Sequence, residues 1–290
     1  LFYGPAAAKM KEAFTFAEQN YNRKDTSRSG GRNDPRNVSL KVSLRFRDLL
    51  DEARVEAGDT VYGKRIEKII SELEPRDSLV TKYGEKEKNL KKSREKAPLA
   101  VGVLGSDLSK AAEYTLKDVK TAEPADVKTK FKIVWDKNAL ILEIVCDEPD
   151  MKGLADRTTS TVWDGDHIAI ALETQNHSYY KMEINPNGEI VEGDPVTNRW
   201  KSLADVKVEK GTDSWRLNVR IPTVGADEAS SDPMHRVSGS MPSVEDPWYF
   251  NIARVRNIKE SDRQAFSTRK DKKGKGDWYS VSKFGRLEIK

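Results

Sequence analysis

The feature that most constrains this chain is a change of hydrophobic period near Pro98. Beyond it, apolar and polar residues alternate over short runs, and clusters of turn residues separate the runs. In "SWRLNVRIP" (214–222), Trp215, Leu217, Val219 and Ile221 share one face of an extended chain, while Arg216, Asn218 and Arg220 share the other. The same pattern predicts strands over 130–135, 139–147, 166–174, 178–185, 188–193, 205–210, 248–256 and 285–290. "WDKN" and "NPNG" are turn tetrads between them. Short strands at this spacing, with no helices interleaved to carry crossovers, predict an antiparallel β-sandwich of jelly-roll type over 99–290.

Residues 1–98 read at a helical period, so the chain as a whole is α+β: a helical segment of three or four helices, then the sandwich. Pro5 suits a helix start, where its missing N–H costs nothing. Met10, Phe14, Ala17 and Tyr21 then follow at helical spacing. "TSRSGGRNDPRN" (26–37) is loop text. "VSLKVSLRFRDLLDEARVEAG" resumes the helix and ends at Gly58, a C-cap residue. Asp59 and Thr60 can cap the next helix, and a charged helical tail runs toward Lys96. This half has no histidine and no nucleophile-and-base pair.

Charge and cysteine usage exclude several classes of function. Residues 1–98 carry 22 Lys+Arg and 16 Asp+Glu, a net +6; the remainder carries 29 and 31, a net −2. The basic half interleaves its signs, as in "EKEKNLKKSREK", which is a solvated helix face and not a nucleic-acid patch. No apolar run approaches the roughly 18 residues that a membrane span needs. The single cysteine, Cys146, excludes an internal disulfide and sits in an apolar strand, as a small buried hydrophobe does.

The stretch "TVWDGDHIAIALET" (161–174) places Trp163 at the mouth of an acidic turn, outside the strand that follows. Ile168, Ile170 and Leu172 point to one side of that strand; His167, Ala169, Ala171 and Glu173 point to the other. Two alanines floor the second face. Either they leave room for something to lie across the strand, or a loop packs closely on them.

The ordered set "FKIVWDKNALILEIVCDEPDM", "VWDGDHIAIALET", "YYKMEINPNGEIV", "SWRLNVRIP" and "WYFNIARVR" resembles carbohydrate-binding module family 9 and its relatives over roughly 120–290. The resemblance implies a β-sandwich that binds polysaccharide or oligosaccharide, typically chain ends of plant-type glucans or xylans. In that family two aromatic rings clamp a sugar and polar side chains grip its hydroxyls. A pyranose offers an apolar C–H face to a ring, and its hydroxyls need directed partners. The resemblance assigns Trp163 as one clamp ring and Trp248 as the second. Asn251, Arg254, Glu173 and His167 are its hydrogen-bonding candidates. Trp200 and Trp278 lie in loop text and are further candidate platforms. The family commonly carries an acid six positions after the clamp tryptophan, where this chain has Ala169; Glu173 is the candidate substitute on that face.

Residues 1–98 are similar to the helical tail of large bacterial proteins with a glycoside-hydrolase-like region upstream. That similarity implies a C-terminal piece of such a protein, an upstream catalytic-type domain as its partner in the same chain, and a secreted, periplasmic or cell-surface location. Whether the parent is an active glycoside hydrolase stays open; within this segment nothing signals catalysis. Asp166 and Glu173 would lie more than roughly 20 Å apart along a strand, too far for a carboxylate pair. His167, His177 and His235 lack a nucleophile motif. Asp147, Asp150 and Asp164, with Glu148 and Asp166, are oxygen donors suited to a structural Ca²⁺, although acidic residues also simply populate turns. Met182 and His167 are the pair a haem would use, but Met182 shares an apolar face with Tyr180 and Ile184 and reads as core. The alternative to a sugar site is a non-catalytic structural or interaction module with the same fold. Exposure of Trp163 and Trp248 across a gap one sugar wide is the discriminator.

Overall fold

The computed structural model describes residues 2–21, 40–174, 179–193, 200–223, 237, 241–258, 262–268 and 280–290. The chain divides into two compact units, Leu1–Lys92 and Ser93–Lys290. The predicted loop 26–37, His177, His235 and Trp278 lie outside the described residues.

The first unit is helical, with α1 Ala7–Tyr21, α2 Leu40–Ala57 and α3 Val61–Arg94, whose last two residues, Ser93 and Arg94, belong to the second unit. Gly58 takes φ +59 directly after α2, the left-handed conformation that ends a helix. Its N–H donates to the Arg54 carbonyl at 3.2 Å. The Thr60 hydroxyl then accepts from Gly63 N–H at 3.3 Å as α3 starts. Ala6, just ahead of α1, and Met10 and Ala13 on it pack against Phe46, Leu49, Leu50, Ala53 and Ile66. The phase differs by one step from the sequence reading: Phe14 is exposed, because Ala13 holds the inward position where α2 approaches.

Among the described residues, the second unit has thirteen strands: β1 Leu99–Leu104, β2 Tyr114–Thr115, β3 Lys117–Asp118, β4 Thr129–Asp136, β5 Ala139–Asp147, β6 His167–Glu173, β7 Tyr180–Ile184, β8 Ile190–Gly193, β9 Asp205–Lys210, β10 Ser214–Pro222, β11 Trp248–Arg256, β12 Asp262–Ala265 and β13 Gly285–Ile289. A short helix, α4 Met151–Arg157, follows β5. The main hydrogen-bonded path runs β8-β7-β6-β11-β13-β1-β4-β5-β10-β9. Strand β1 is the hinge between two sheets: Leu99–Gly102 pairs with β13, and Val103–Leu104 pairs with β4.

Both pairings of β1 are parallel, so the sandwich is mixed and not purely antiparallel as the strand spacing predicts. Parallel partners lie far apart in sequence and leave no hairpin turn to read. Gly102 sits where β1 passes between sheets. A Cβ there would come within 2.6 Å of Ile289 Cδ1 and 3.0 Å of Ile133 Cγ2.

The β4–β5 hairpin shows why the turn tetrads were legible. Lys137 and Asn138 take φ +47 and +60, the two positive values of a primed two-residue turn whose twist matches the strands. One core fills the space between the sheets. Phe131, Ile133, Leu140, Leu142, Ile144, Trp215, Leu217 and Val219 meet Ile168, Ile170, Leu172, Met182, Trp248, Phe250, Ile252 and Leu287. Each such side chain contributes about 1.5–3 kcal/mol through burial. Met182 is in this core, as its parity with Tyr180 and Ile184 predicts. No described helix is long and apolar enough to cross a membrane.

Candidate functional site

Trp163 stands on the loop between α4 and β6. Asp150 caps α4, accepting from Gly153 N–H at 2.9 Å. Arg157 closes its last turn and meets three carboxylates, one through each nitrogen: Asp150 by Nη1 at 2.9 Å, Glu148 by Nη2 at 3.3 Å and Asp166 by Nε at 3.3 Å. The Asp166 N–H also donates to the Arg157 carbonyl at 2.9 Å, so the two ends of the loop are fastened together. From the far side, Asn257 donates its backbone N–H to the Asp166 carboxylate and its side-chain amide to the Asp164 carbonyl, both at 2.6 Å. Within the loop, Val162 turns inward and is buried, while Trp163 beside it is 57% exposed.

Burial pushes the Asp166 carboxyl up from the ordinary aspartate value, opposed by the Asn257 N–H and by Arg157. For Glu148 burial also pushes upward, but hydrogen bonds from Arg256 and the Asp150 N–H, with the Arg256 and Arg254 charges, hold it net below its ordinary value. Glu148 takes Arg254 Nη2 at 3.1 Å and Arg256 Nη2 at 2.9 Å. Arg254 further donates to the Asp147 carbonyl at 2.7 Å and to the Thr129 hydroxyl at 3.2 Å. Buried charge of this kind holds only when every partner is present.

The other sequence candidates divide sharply. Trp248 is 0% exposed and packs edge-on against Trp135, with ring centroids 5.5 Å apart, so it is not a clamp ring. Arg254 shares its inward parity with Trp248, Phe250 and Ile252, and points between the sheets into the ionic cluster. Asn251 points the other way and is also buried. Its side chain exchanges hydrogen bonds with the Ser267 backbone at 3.1 and 2.9 Å, extending the ladder past β12. Trp200 is buried against Tyr180, with centroids 4.7 Å apart. Trp135 and Trp215 are core, as their strand positions predict.

On the outer face of β6, the Glu173 carboxylate is bonded by Arg94, whose guanidinium also lies 3.7 Å from the centre of the Tyr249 ring. His167 is buried, and its Nδ1 is 2.8 Å from the Gly165 carbonyl, which places a proton on that nitrogen. Ala169 is not an open floor; it packs with Val119, Ala253 and Ala265. Ala169, Ala253 and Ala265 are successive cross-strand partners on β6, β11 and β12, and Val119, just past β3, packs on them.

Among the described residues, no three His, Cys, Asp or Glu side chains gather around a point that could hold a metal. Asp150 is occupied by Arg157 and the α4 cap, Asp164 is exposed, and Asp147 meets the cluster through its carbonyl. Arg157 already answers the Asp150 carboxylate, and the three aspartates are not gathered around one point as a Ca²⁺ cage needs.

Two residues that sequence reasoning missed lie on the same outer face. Lys181 pairs with Ala171 and Glu183 with Ala169 across the β6–β7 ladder. Their own side chains form an ion pair at 3.1 Å. The signal was present: Tyr180, Met182 and Ile184 read as inward, which leaves Lys181 and Glu183 outward.

The family described as carbohydrate family 9 binding domain-like matches residues 102–290. No curated protein matches the chain. Among solved structures, a carbohydrate binding module family 9 from Caldicellulosiruptor kristjanssonii in complex with glucose is similar at a TM-score of 0.47 and 14% identity, covering 66% of this chain and 95% of that one. The same module in complex with cellotriose gives 0.47 and 14%, covering 66% and 93%. A protein from Bacteroides uniformis gives 0.49 and 13%, covering 67% and 100%.

Proposed function

As the chain belongs to the carbohydrate family 9 binding domain-like family, we propose that its β-domain binds carbohydrate, with the Trp163 ring as the platform for a pyranose face. The observation that carries this reading is the exposure of one ring on a fastened loop. Trp163 is 57% exposed, whereas Trp135, Trp200, Trp215 and Trp248 are 5% or less. The exposed indole offers a flat apolar face that a ligand can cover. Stacking a pyranose on it removes C–H and ring surface from water together. Lys181, partly exposed on the strand beside β6, is the polar group for sugar hydroxyls, with the buried Glu183 carboxylate behind it at 3.1 Å.

In this reading the domain does no chemistry of its own. It is an ancillary module of a larger polysaccharide-degrading protein acting outside the cytoplasm, and it holds substrate near an upstream catalytic-type domain, raising its local concentration.

The test is tryptophan fluorescence titrated with glucose, cellotriose and xylo-oligosaccharides, with Trp163→Ala beside the wild type and calorimetry as a second readout. Saturable binding lost in the variant supports the sugar platform. Absence of binding to every ligand overturns it and favours a structural or interaction module. That second reading rests on a specific observation: Trp248, Asn251, Arg254 and Glu173 are all engaged within the protein.

A further inference from the structure

The loop that carries Trp163 is held far more tightly than its exposure requires. Its eight residues, 158–165, run between two positions bonded to each other twice: Asp166 N–H to the Arg157 carbonyl at 2.9 Å, and Arg157 Nε to the Asp166 carboxylate at 3.3 Å. Asn257 fastens the same end through two hydrogen bonds of 2.6 Å. The Asn185 amide, from the β7–β8 turn, donates to the Thr159 carbonyl at 3.1 Å and holds the opposite limb. Inside the loop, Thr159 Oγ1 donates to the Thr161 carbonyl at 2.7 Å, and Asp164 N–H donates to the same carbonyl at 2.9 Å.

The sequence is adapted to this closure. A Cβ on Gly165 would lie 2.4 Å from the Arg157 carbonyl oxygen and 3.0 Å from Thr159 N, both backbone atoms that cannot step aside. Asp166 is 1% exposed, so its carboxylate has given up water for Arg157 and Asn257. Arg157 itself is anchored by Asp150 and Glu148, and Glu148 in turn by Arg254 and Arg256 on β11. The backbone on either side of Trp163 is therefore tied, through one guanidinium, to the ionic cluster between the sheets.

A ring that stacks on a ligand binds best when the ligand need not order it first, because each side chain immobilised on binding weakens affinity. We propose that Arg157 and Asp166 are positioning residues for the Trp163 platform: their ion pair closes the loop and pre-sets the ring for its ligand. The proposal rests on the sugar-binding reading for its affinity consequence, but not for its structural one. These bonds fix the backbone that carries the ring, which is the support a presented side chain needs.

The test uses the whole chain labelled with 5-fluorotryptophan, with the Trp163 resonance assigned from Trp163→Phe. Asp166→Asn keeps the acceptor for Asn257 and removes the charge that Arg157 needs. Gly165→Ala keeps every charge and forces the loop ends apart, which covers the case where Asp166→Asn fails to fold. Arg157→Lys keeps a positive charge without the three-pronged geometry. In the wild type we expect one sharp Trp163 line and saturable cellotriose binding. In Asp166→Asn and Gly165→Ala we expect that line to broaden or split while the buried tryptophans keep their shifts, and the cellotriose Kd to rise at least tenfold. Arg157→Lys should fall between. An unchanged Trp163 line and unchanged Kd in the folded variants would overturn the clamp and leave the sugar reading standing. A split line in a protein that binds none of the sugars would uphold the clamp and sink the sugar reading.

Discussion

Glu183 faces Ala169 directly across the β6–β7 ladder. Their Cβ atoms stand on one side of the sheet at the roughly 5 Å separation of cross-strand partners. The sequence resemblance leaves an acid missing at position 169, and Glu173 was the expected substitute. Arg94 holds the Glu173 carboxylate, and the carboxylate nearest to Ala169 in the ladder comes from the neighbouring strand.

On the sugar-binding reading, replacing Glu183 with Gln removes the charge that holds Lys181 and tests which carboxylate the site depends on. A hydrogen bond to a charged group is worth about 1.5–3 kcal/mol, so the cellotriose Kd should rise tenfold or more by calorimetry. Glu173→Gln should leave it within about twofold. The reverse result would return the role to Glu173.

The two tryptophans assigned by resemblance should behave oppositely in stability. Trp248→Ala empties the core beside Trp135 and should cost about 3–5 kcal/mol. Trp163→Ala removes an exposed ring and should shift stability by no more than about 0.5 kcal/mol. Guanidinium unfolding followed by circular dichroism measures both.

Acid should strike the Arg254–Glu148–Arg256 cluster. The folded-state pKa of Glu148 is held below its ordinary value. Its contribution is thus present above the unfolded glutamate pKa, about 4.3, and is lost as pH falls through the lower folded value. Asp166 has the opposite sign: its raised pKa favours the folded protein as pH falls through that raised value. Glu148→Gln leaves two buried guanidinium groups short of a partner and should cost about 3–5 kcal/mol at pH 7. The loss should shrink as pH falls through that lowered folded value, where the wild-type carboxylate is itself being protonated. Thermal melts of both proteins from pH 7 to pH 3 check this.

Cys146 should be silent in the native protein. Burial pushes its thiol up to about 11, and it is fully enclosed in the core. A disulfide reagent at pH 8 should label it only in step with unfolding, because the thiolate is the reacting form. Stoichiometric labelling under native conditions would show the sandwich opening at β5.

How much of this was legible in the sequence follows from the range of each cause. Alternation and turn chemistry are local, so β5, β9, β10 and β11 have the bounds that the pattern predicts. The Lys137–Asn138 turn was legible for the same reason. Strand β1 was not, since its partners lie at β4 and at the chain's last strand. Strand β12 is four residues long and carries "DRQA", with no apolar alternation to see.

The sequence by itself determined the two-part architecture, the inward faces of the strands and the placement of Trp163 ahead of β6, because those depend on periods of two and 3.6 residues along a local stretch. Only the tertiary structure decided which rings reach water and which charges are answered. Trp248 and Arg254 looked like ligands on a strand whose parity turns them inward, and Trp163 is exposed because Arg157, Asp166 and Asn257, 100 residues apart at the extremes, close one loop around Val162. Exposure and ion pairing are properties of what the rest of the chain brings alongside, and no local period records that.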